Sequence, residues 1–456
     1  MNKLDIEKIL KKAVSTGASF ADVFYEDSIS KDMLYTEDRV DQVTTKFSKG
    51  IGIRISQDEN TVYAYTNDLD NKNIDNLLDR LIVRFSEEEK VEKFTLKEIN
   101  KKSWDKSFDD FSNQDKKELC KNIYDYIKKL DDRIVNINVM LMQDYRKTKV
   151  GNTFNKLVYD NHLYNRLFIT VIARDEEKTG RHSVSYANSD NLDIFDFDKI
   201  KNDLKDLVDV AIKKLDAVDC PSGELPVVIE NGFGAVIFHE SCGHALEATD
   251  VVKNTSVLSN MIGKKIASDK VTLIDDGTIP NLFGTSNYDD EGNETRKNVL
   301  IKDGILQSYL VDYLNSIKMN HPFTGSARRE NYKYAPMSRM NNTYLEKGHD
   351  KVEDMIKSIK FGLYAKKIGG GQVDTYTGDF NFGVNEAYII RDGKICEIVK
   401  GASLIGNTLD ILKKVEMVSD NLEYGEGLCG HLSGMVRVTA GQPTIKVSSI
   451  LVGGSK

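Results

Sequence analysis

A proline-containing segment, DAVDCPSGELP at residues 216 to 226, divides the chain into two parts of different character. It holds two of the six prolines and interrupts a long helical pattern, because proline lacks the amide hydrogen that an α-helix needs. Helical patterns alternate with groups of strand patterns before the segment, whereas glycine-rich strand patterns dominate after it. We therefore expect an α+β fold with an N-terminal region at 1–220, divisible into units of about 1–100 and 101–220, and a mainly-β region at 221–456.

Apolar residues at helical spacing predict four helices in the first part. They lie at about 4–14 (ending near Gly17), 73–86, 119–130 and 204–215. Short runs rich in β-branched and aromatic residues predict an antiparallel meander between the first two helices and further strands between the last two. In the second part, Asp303-Gly304 and Asp392-Gly393 lie between apolar runs, as tight hairpin turns require.

Composition excludes several classes of protein. The chain has 456 residues, a formal net charge of −8 and an isoelectric point near 5.6, which argues against binding of nucleic acid or of anionic membranes. No secretory signal is evident, and no apolar run approaches the roughly 20 residues of a membrane helix. We expect a cytoplasmic protein. The five cysteines are scattered and form no C-x-x-C pair, so they are expected to be reduced thiols.

The strongest chemical signal is IFHESCGHALEA at residues 237 to 248, the predicted helix of the mainly-β region. His239, Glu240 and His244 are the residue types of a zinc peptidase, in which imidazoles hold the ion and a carboxylate accepts a proton from water. Residues at i and i+5 of a regular α-helix point about 140° apart. A π-bulge would bring the two imidazoles onto one face, and Gly243 would ease that distortion.

A third metal ligand cannot be assigned from the residues alone. Cys242 points in a different direction from both histidines on the helix and is typical of a small buried thiol. Cys429 lies in the glycine-rich segment GEGLCGHLSG, where by itself it is also most simply a buried structural thiol. His431, two residues further on, is a competing donor.

Five separated stretches of the second part are specific enough to compare with known families. They are HESCGHALEA, IDDGTIPNLFGTSNYDDEG, RRENYKYAPMSRMNNTYLEKG, GLYAKKIGGGQVDTYTGDFNFGVNEAYIIRDGK and GQPTIKVSSILVGG. In these stretches and their order the chain resembles the TldD/PmbA family of zinc metallopeptidases, and specifically its motif-bearing TldD-type branch. The family spells its metal motif H-E-x-x-x-H, as this chain does. The first part is similar more loosely, through GASFADVFYED and KGIGIRI.

The resemblance implies a site and a reaction. His239, His244 and Cys429 would hold Zn²⁺, and Glu240 would be the general base that activates water against a peptide bond. The implied substrates are unfolded peptides or flexible protein segments. The implied assembly is a homodimer or a heterodimer with a family member that lacks the motif. The alternatives are a non-catalytic, peptide-binding subunit of such a dimer and a redox protein built on Cys429.

Two further stretches are predicted to contact substrate. The first is the acidic turn Asp289, Asp290 and Glu291, whose simpler interpretation is a solvated turn, with a contact to a histidine ligand as another possibility. The second is the glycine-rich run Gly370, Gly371 and Gln372. No Lys-Ser or Lys-Thr follows this run, so we reject a phosphate-binding loop there. Three arginines are expected either to contact substrate or a carboxylate, or to form surface ion pairs: Arg328, Arg329 and Arg339.

Overall fold

The computed structural model of the protein describes residues 1–15, 17–85, 95–100 and 110–454, without the side chain of residue 100. Residue 86, the last of the predicted 73–86 helix, lies outside these ranges. The helices are α1 Lys3–Val14, α2 Asn71–Ile82, α3 Asn113–Lys128, α4 Phe197–Lys213, α5 Val236–Phe238, α6 Ala248–Val251, α7 Tyr313–Met319, α8 Val352–Lys357 and α9 Thr408–Lys413.

The strands begin with β1 Phe20–Thr36, β2 Arg39–Gln57, β3 Asn60–Thr66, β4 Lys97–Asn100, β5 Ile134–Asn152, β6 Lys156–Asp175 and β7 Lys178–Ser189. They continue with β8 Val218–Asp219, β9 Gly223–Ile229, β10 Leu273–Asp276, β11 Lys297–Lys302, β12 Ile305–Leu306, β13 Ala327–Arg328, β14 Met337–Ser338 and β15 Asn342–Leu345. The remainder are β16 Phe361–Val373, β17 Asp379–Arg391, β18 Lys394–Lys400, β19 Ser403–Asn407, β20 Val415–Val418, β21 Glu423–His431, β22 Gly434–Gln442 and β23 Ile445–Gly453.

Seven of the described strands form one N-terminal sheet in the order β3-β2-β1-β5-β6, with β4 and β7 both paired to β6. The predicted meander is confirmed, but its segments join into long strands, of which β1 has 17 residues and β2 has 19. Two apolar cores lie against this sheet: α1 and α2 contribute to one, and α3 and α4 to the other. A single sheet therefore runs through both of the units expected within the N-terminal region.

The C-terminal region is rich in strands, and the predicted α+β class is confirmed. Seven of its described strands and β8, which directly precedes it, form a sheet in the order β16-β9-β23-β19-β17-β18-β8, with β20 paired to β23. Strand β16 also pairs with β17, which closes five of the strands into a ring. Six others form a second sheet in the order β12-β11-β10-β15-β22-β21. Both predicted hairpin turns are present, since Asp303-Gly304 and Asp392-Gly393 have positive φ angles and connect paired strands.

A helical segment between β9 and β10 carries the histidine motif, with α7, α8 and α9 as additional short helices. Buried charges join this region to the N-terminal sheet. Arg54 of β2 donates from Nε to Asp22 of β1 at 2.6 Å and pairs with Glu291 at 2.7 Å, and all three side chains are buried. Within the described ranges, no helix combines the length and apolar character that crossing a membrane requires.

Candidate metal centre

The motif helix contains a widened turn. His239–Gly243 is a π-helical turn between α5 and a 3₁₀ turn at His244–Leu246, and the amide of His244 donates to the carbonyl of His239. This bond from residue i+5 to residue i is the defining bond of a π-turn, so the predicted bulge is confirmed. The two imidazole rings consequently lie close together, with centroids 5.5 Å apart and planes at 82°.

Gly243 supports this turn for a different reason from the one expected. Its φ of −58° and ψ of −52° are ordinary α-helical values, so the backbone there has no need of glycine's freedom. A Cβ atom at Gly243 would instead overlap the sulfur of Met340. The glycine is therefore required by close packing, and the expectation that it eases a backbone distortion is wrong.

Cys429 reaches the two histidines from strand β21. Its Sγ lies 3.1 Å from Nε2 of His244, and the candidate ligand atoms of His239, His244 and Cys429 all lie within 4.8 Å of one another. Burial acts to raise the pKa of the Cys429 thiol, but the two adjacent imidazoles hold it well below its ordinary value. The cysteine is therefore biased towards the thiolate, which is the form that binds metals.

His239 gives the clearest indication of a missing partner. Its side chain is 2% exposed, and neither ring nitrogen has a hydrogen-bond partner among the described residues. A buried imidazole without partners is costly, because its polar nitrogens have lost their contacts with water. Two imidazoles and a thiolate converging on one point are a donor set that suits zinc. These residues therefore fit a metal ion.

Glu240 lies beside this cluster and is reached by solvent. Its side chain is 24% exposed, and its Oε2 is 3.5 Å from Nε2 of His244. The other residues of the cluster are buried, so Glu240 is the member through which water has access. This position suits a group that exchanges protons with water.

Two further residues, Glu247 and Arg339, hold the cluster in place. Glu247, fully buried, lies with Oε2 3.2 Å from Nδ1 of His244, which leaves Nε2 of that ring directed towards Cys429. Arg339, also fully buried, lies with Nε 3.6 Å from Glu247 and donates from Nη2 to the backbone carbonyl of Cys429 at 2.5 Å. Glu247 was not predicted, although its position one helical turn after His244 could have indicated it. Arg339 is one of the three arginines predicted to contact substrate or a carboxylate, and its pairing with Glu247 confirms the carboxylate contact.

Cys242 and His431 lie outside the three-residue cluster. Cys242 is fully buried in the apolar core, as expected from the motif, and burial raises the pKa of its thiol to about 12. His431 stacks on His244 with ring centroids 5.8 Å apart. Its ring nitrogens face Asp250 at 3.7 Å and the sulfur of Met337 at 3.2 Å. His431 is thus a neighbour of the candidate ligand His244.

The acidic turn is buried, and the interpretation of it as a solvated turn is wrong. Asp289 accepts from the amides of Glu291 and Asn293, and Asp290 accepts from the amide of Arg329 at 2.7 Å. Glu291 pairs with Arg54 of the N-terminal sheet, as described above. A direct contact with substrate would first have to displace these internal partners. Asp290 and Glu291 instead join the C-terminal region to the N-terminal sheet, through Arg146 and Arg54.

The three predicted arginines are all buried: Arg328, Arg329 and Arg339. The alternative of surface ion pairs is therefore wrong, whereas a contact to a carboxylate is confirmed for Arg329 with Asp22 and for Arg339 with Glu247. The glycine-rich run lies within strand β16 rather than before a helix, in keeping with the rejection of a phosphate loop. Gly370, Gly371 and Gln372 are exposed, and Gly370 lines a groove of about 610 Å³ next to β21. A substrate contact by these three residues stays a prediction.

Comparison with known sequences places the chain among the metallopeptidases. Three matches cover most of it: PmbA/TldA metallopeptidase domain 1 at residues 21–83, the central domain at 106–215 and the C-terminal domain at 222–454. The chain belongs to the PmbA/TldD family, as its motifs suggested.

Curated relatives carry related names. The chain is 33% identical to the metalloprotease TldD homolog of Buchnera aphidicola (strain APS) over 100% of its own length and 97% of that protein. It is also 28% identical to the zinc metalloprotease TldD homolog of Saccharolobus solfataricus over 98% of its own length and 99% of that protein.

Solved structures share the fold. TldE from Thermococcus kodakarensis has a TM-score of 0.75 at 19% identity, covering 99% of this chain and 100% of TldE. A crystal structure from Thermotoga maritima has a TM-score of 0.80 at 20% identity, covering 99% of each chain. At these identities the likeness concerns the fold alone.

Proposed function

We propose that this chain is a zinc-dependent metallopeptidase that cleaves unfolded peptides or flexible protein segments. His239, His244 and Cys429 hold Zn²⁺, and Glu240 is the general base. The observation that carries the proposal is the buried, unpartnered imidazole of His239 beside a cysteine whose pKa is lowered well below its ordinary value. A metal ion would satisfy both groups at once.

Each side chain then has a role that follows from its position. Bound zinc would supply Lewis acidity at the peptide carbonyl and at the attacking water. Glu240, on the solvent side of the cluster, accepts the proton of that water and returns it to the leaving amine. Glu247 holds the ring of His244 in one orientation and fixes which nitrogen faces the ion.

Two rival functions make different predictions. A non-catalytic subunit of a dimer would have no use for a general base, so the presence of Glu240 together with the three candidate ligands favours the peptidase. A redox protein built on Cys429 would keep its activity when metal is removed and lose it on alkylation of the thiol. Chelation followed by restoration with zinc therefore separates the redox protein from the peptidase.

The decisive experiment compares zinc content and cleavage of casein or of a quenched fluorescent peptide in purified variants. In Glu240→Gln, zinc should be retained while cleavage falls by about 10²–10⁴-fold, the range for loss of a general base. In His244→Ala and Cys429→Ser, zinc itself should be lost. Glu353→Gln, at an exposed position on α8, is the matched control and should behave like the wild type. A zinc-loaded wild type that cleaves nothing, with its partner present, would refute the proposal.

We also propose that the chain works as a dimer, either with a second copy or with a motif-lacking relative. Support comes from the resemblance to the TldD/PmbA family. Light scattering on the purified chain, alone and after mixing with such a relative from the same genome, measures the assembly directly. A monomer under both conditions that still cleaves peptide would contradict this part of the proposal.

A further inference from the structure

A groove of about 610 Å³ lies between the N-terminal sheet and the C-terminal region. Strands β6 and β7 and the end of α4 form one side, and β16 and β21 form the other. Four cationic side chains line it: Arg166, Arg181, Lys214 and Lys367. This concentration of positive charge contrasts with the net charge of −8 of the whole chain.

The two lysines of the groove are held by neutral acceptors. Lys367 donates to the backbone carbonyl of Ser183 at 2.7 Å, and Lys214 donates to that of Arg181 at 2.8 Å. Burial lowers the pKa of Lys214 to about 8, as expected for a cation that lacks sufficient negative charge nearby. An ammonium group has three donors, so each lysine can also bind an anion from the groove.

Two acids near the groove, Glu386 and Glu426, offset only part of its positive charge. Glu386 is not among the residues that line the groove and is paired with Lys366 at 3.1 Å, His182 at 3.3 Å and the hydroxyl of Tyr388 at 2.8 Å. Burial alone would raise the pKa of Glu386, but these partners lower it to about 2. The charge of Glu386 also acts on Lys214 and Lys367. Glu426 is the one acidic side chain among the described residues that line the groove, against four cationic ones, and burial raises the pKa of its carboxyl. The groove therefore keeps an excess of positive charge.

The groove also has a defined position relative to the candidate metal centre. Tyr424 and Glu426 of β21 line it, and Cys429 lies on the same strand five and three residues further on. At about 3.3 Å per residue, the groove is about 10–17 Å from the cysteine. Strand β21 is an edge strand that pairs only with β22 among the described strands, and Gly425 also lines the groove. The groove thus receives residues from both faces of β21.

We propose that this groove binds a carboxylate of the peptide substrate, three to five residues from the bond that is cleaved. The carboxylate comes from an aspartate or glutamate side chain or from the C-terminus of the peptide. The inference rests on the proposed peptidase function and on a peptide lying extended along the edge of β21. In that arrangement, three to five extended residues separate a peptide bond near Cys429 from a carboxylate in the groove. The groove thereby favours peptides that carry a carboxylate at this position, whereas the rest of the substrate is bound through its main chain.

Binding is tested separately from cleavage, in the Glu240→Gln background, by fluorescence anisotropy of labelled ten-residue peptides. One arm compares a glutamate with a glutamine at a single position in C-terminally amidated peptides. The other compares a free C-terminus with an amide in peptides without acidic side chains. Each comparison is repeated in Arg181→Glu, an exposed groove position, and in the matched control Arg174→Glu, an exposed position on β6 outside the groove.

At least one carboxylate should tighten binding about tenfold, and the arm that shows the effect identifies its source. Arg181→Glu should abolish or reverse that preference, whereas Arg174→Glu should keep it. Wild-type cleavage sites mapped by mass spectrometry should lie three to five residues from the preferred carboxylate. Equal affinities in both arms, or an equal loss for acidic and neutral peptides in Arg181→Glu, would overturn the inference. Selective binding of acidic peptides by a zinc-loaded wild type that cleaves none would refute the proposed function and leave the groove as a peptide-binding site.

Discussion

Replacing Glu247 by glutamine changes how His244 is held without changing the size of the side chain. The carboxylate lies 3.2 Å from Nδ1 of His244 and 3.6 Å from Nε of Arg339, and both Glu247 and Arg339 are fully buried. Glutamine can still accept a hydrogen bond from the imidazole. It cannot carry the negative charge that makes that imidazole a stronger ligand and that balances the guanidinium.

The structure sets the size of two separate effects. Loss of a carboxylate that orients a metal-binding histidine typically lowers metal affinity 10–100-fold, and we expect about tenfold here because glutamine keeps the hydrogen bond. Leaving a buried guanidinium without its charge partner costs about 3–5 kcal/mol when the partner is removed outright. For Glu247→Gln we expect about 3 kcal/mol, since Arg339 keeps its bonds to the carbonyls of Cys429 and Gly434.

Zinc affinity is measured by competition with a chromophoric chelator, and stability by urea unfolding of the metal-free protein. Glu346→Gln, at an exposed position, is the matched control and should change neither quantity. If Glu247→Gln binds zinc within twofold of the wild type while unfolding more easily, Glu247 is a structural residue only. The assignment of an orienting role to its carboxylate would then be wrong.

Three further predictions address the packing, the charges and the metal. Gly243→Ala should cost about 1–3 kcal/mol in urea unfolding because its Cβ would overlap Met340. In a Met340→Ala background the same substitution should cost less, and an equal cost would contradict the packing argument. The pKa of Glu386 is lowered from 4.5 to about 2 on folding, so its carboxylate contributes about 3 kcal/mol to the free energy of unfolding above pH 4.5. This contribution disappears as the pH falls from 4.5 towards 2. Glu386→Gln should flatten that part of the stability–pH curve, and an unchanged slope would refute it. Removal of metal by a chelator should lower the melting temperature by several degrees and added zinc should restore it, whereas identical melting curves would argue against a metal in the folded protein.

The elements that were predicted correctly are those with strong local signals. Helices α1 and α4 show an apolar face at helical spacing, and the Asp-Gly turns need left-handed backbone that few other dipeptides adopt readily. Strand β7 was not predicted, because its sequence KTGRHSVSYANS is polar and is held in place by pairing with β6. The length of β1 and β2 was also missed, since much of β2 is exposed and shows no clear alternation.

The residues of the candidate site likewise divide into those that a local pattern predicts and those that depend on the tertiary fold. Three of its residues lie within six positions of one motif, so their proximity follows from local geometry once the turn is widened. Cys429 lies 185 residues from His244, and only the family resemblance singled it out. The burial of the acidic turn and the contacts of Arg339 depend on which polar groups the tertiary fold encloses. No local pattern distinguishes a buried, paired charge from an exposed one.

One short segment supports both halves of the candidate metal centre, although it contributes no ligand. Met340 packs against Gly243 in the π-turn, and the adjacent Arg339 connects Glu247 on the motif helix to the carbonyl of Cys429 on β21. The amide of Ser338, one residue earlier, donates to buried Asp312 and helps to anchor the segment. A π-turn packed in this way presents its two imidazoles together, and the same segment sets the distance to the cysteine. The additional residue in the histidine motif is therefore accommodated by a segment almost a hundred positions away, whose substitution should impair metal binding without touching a ligand.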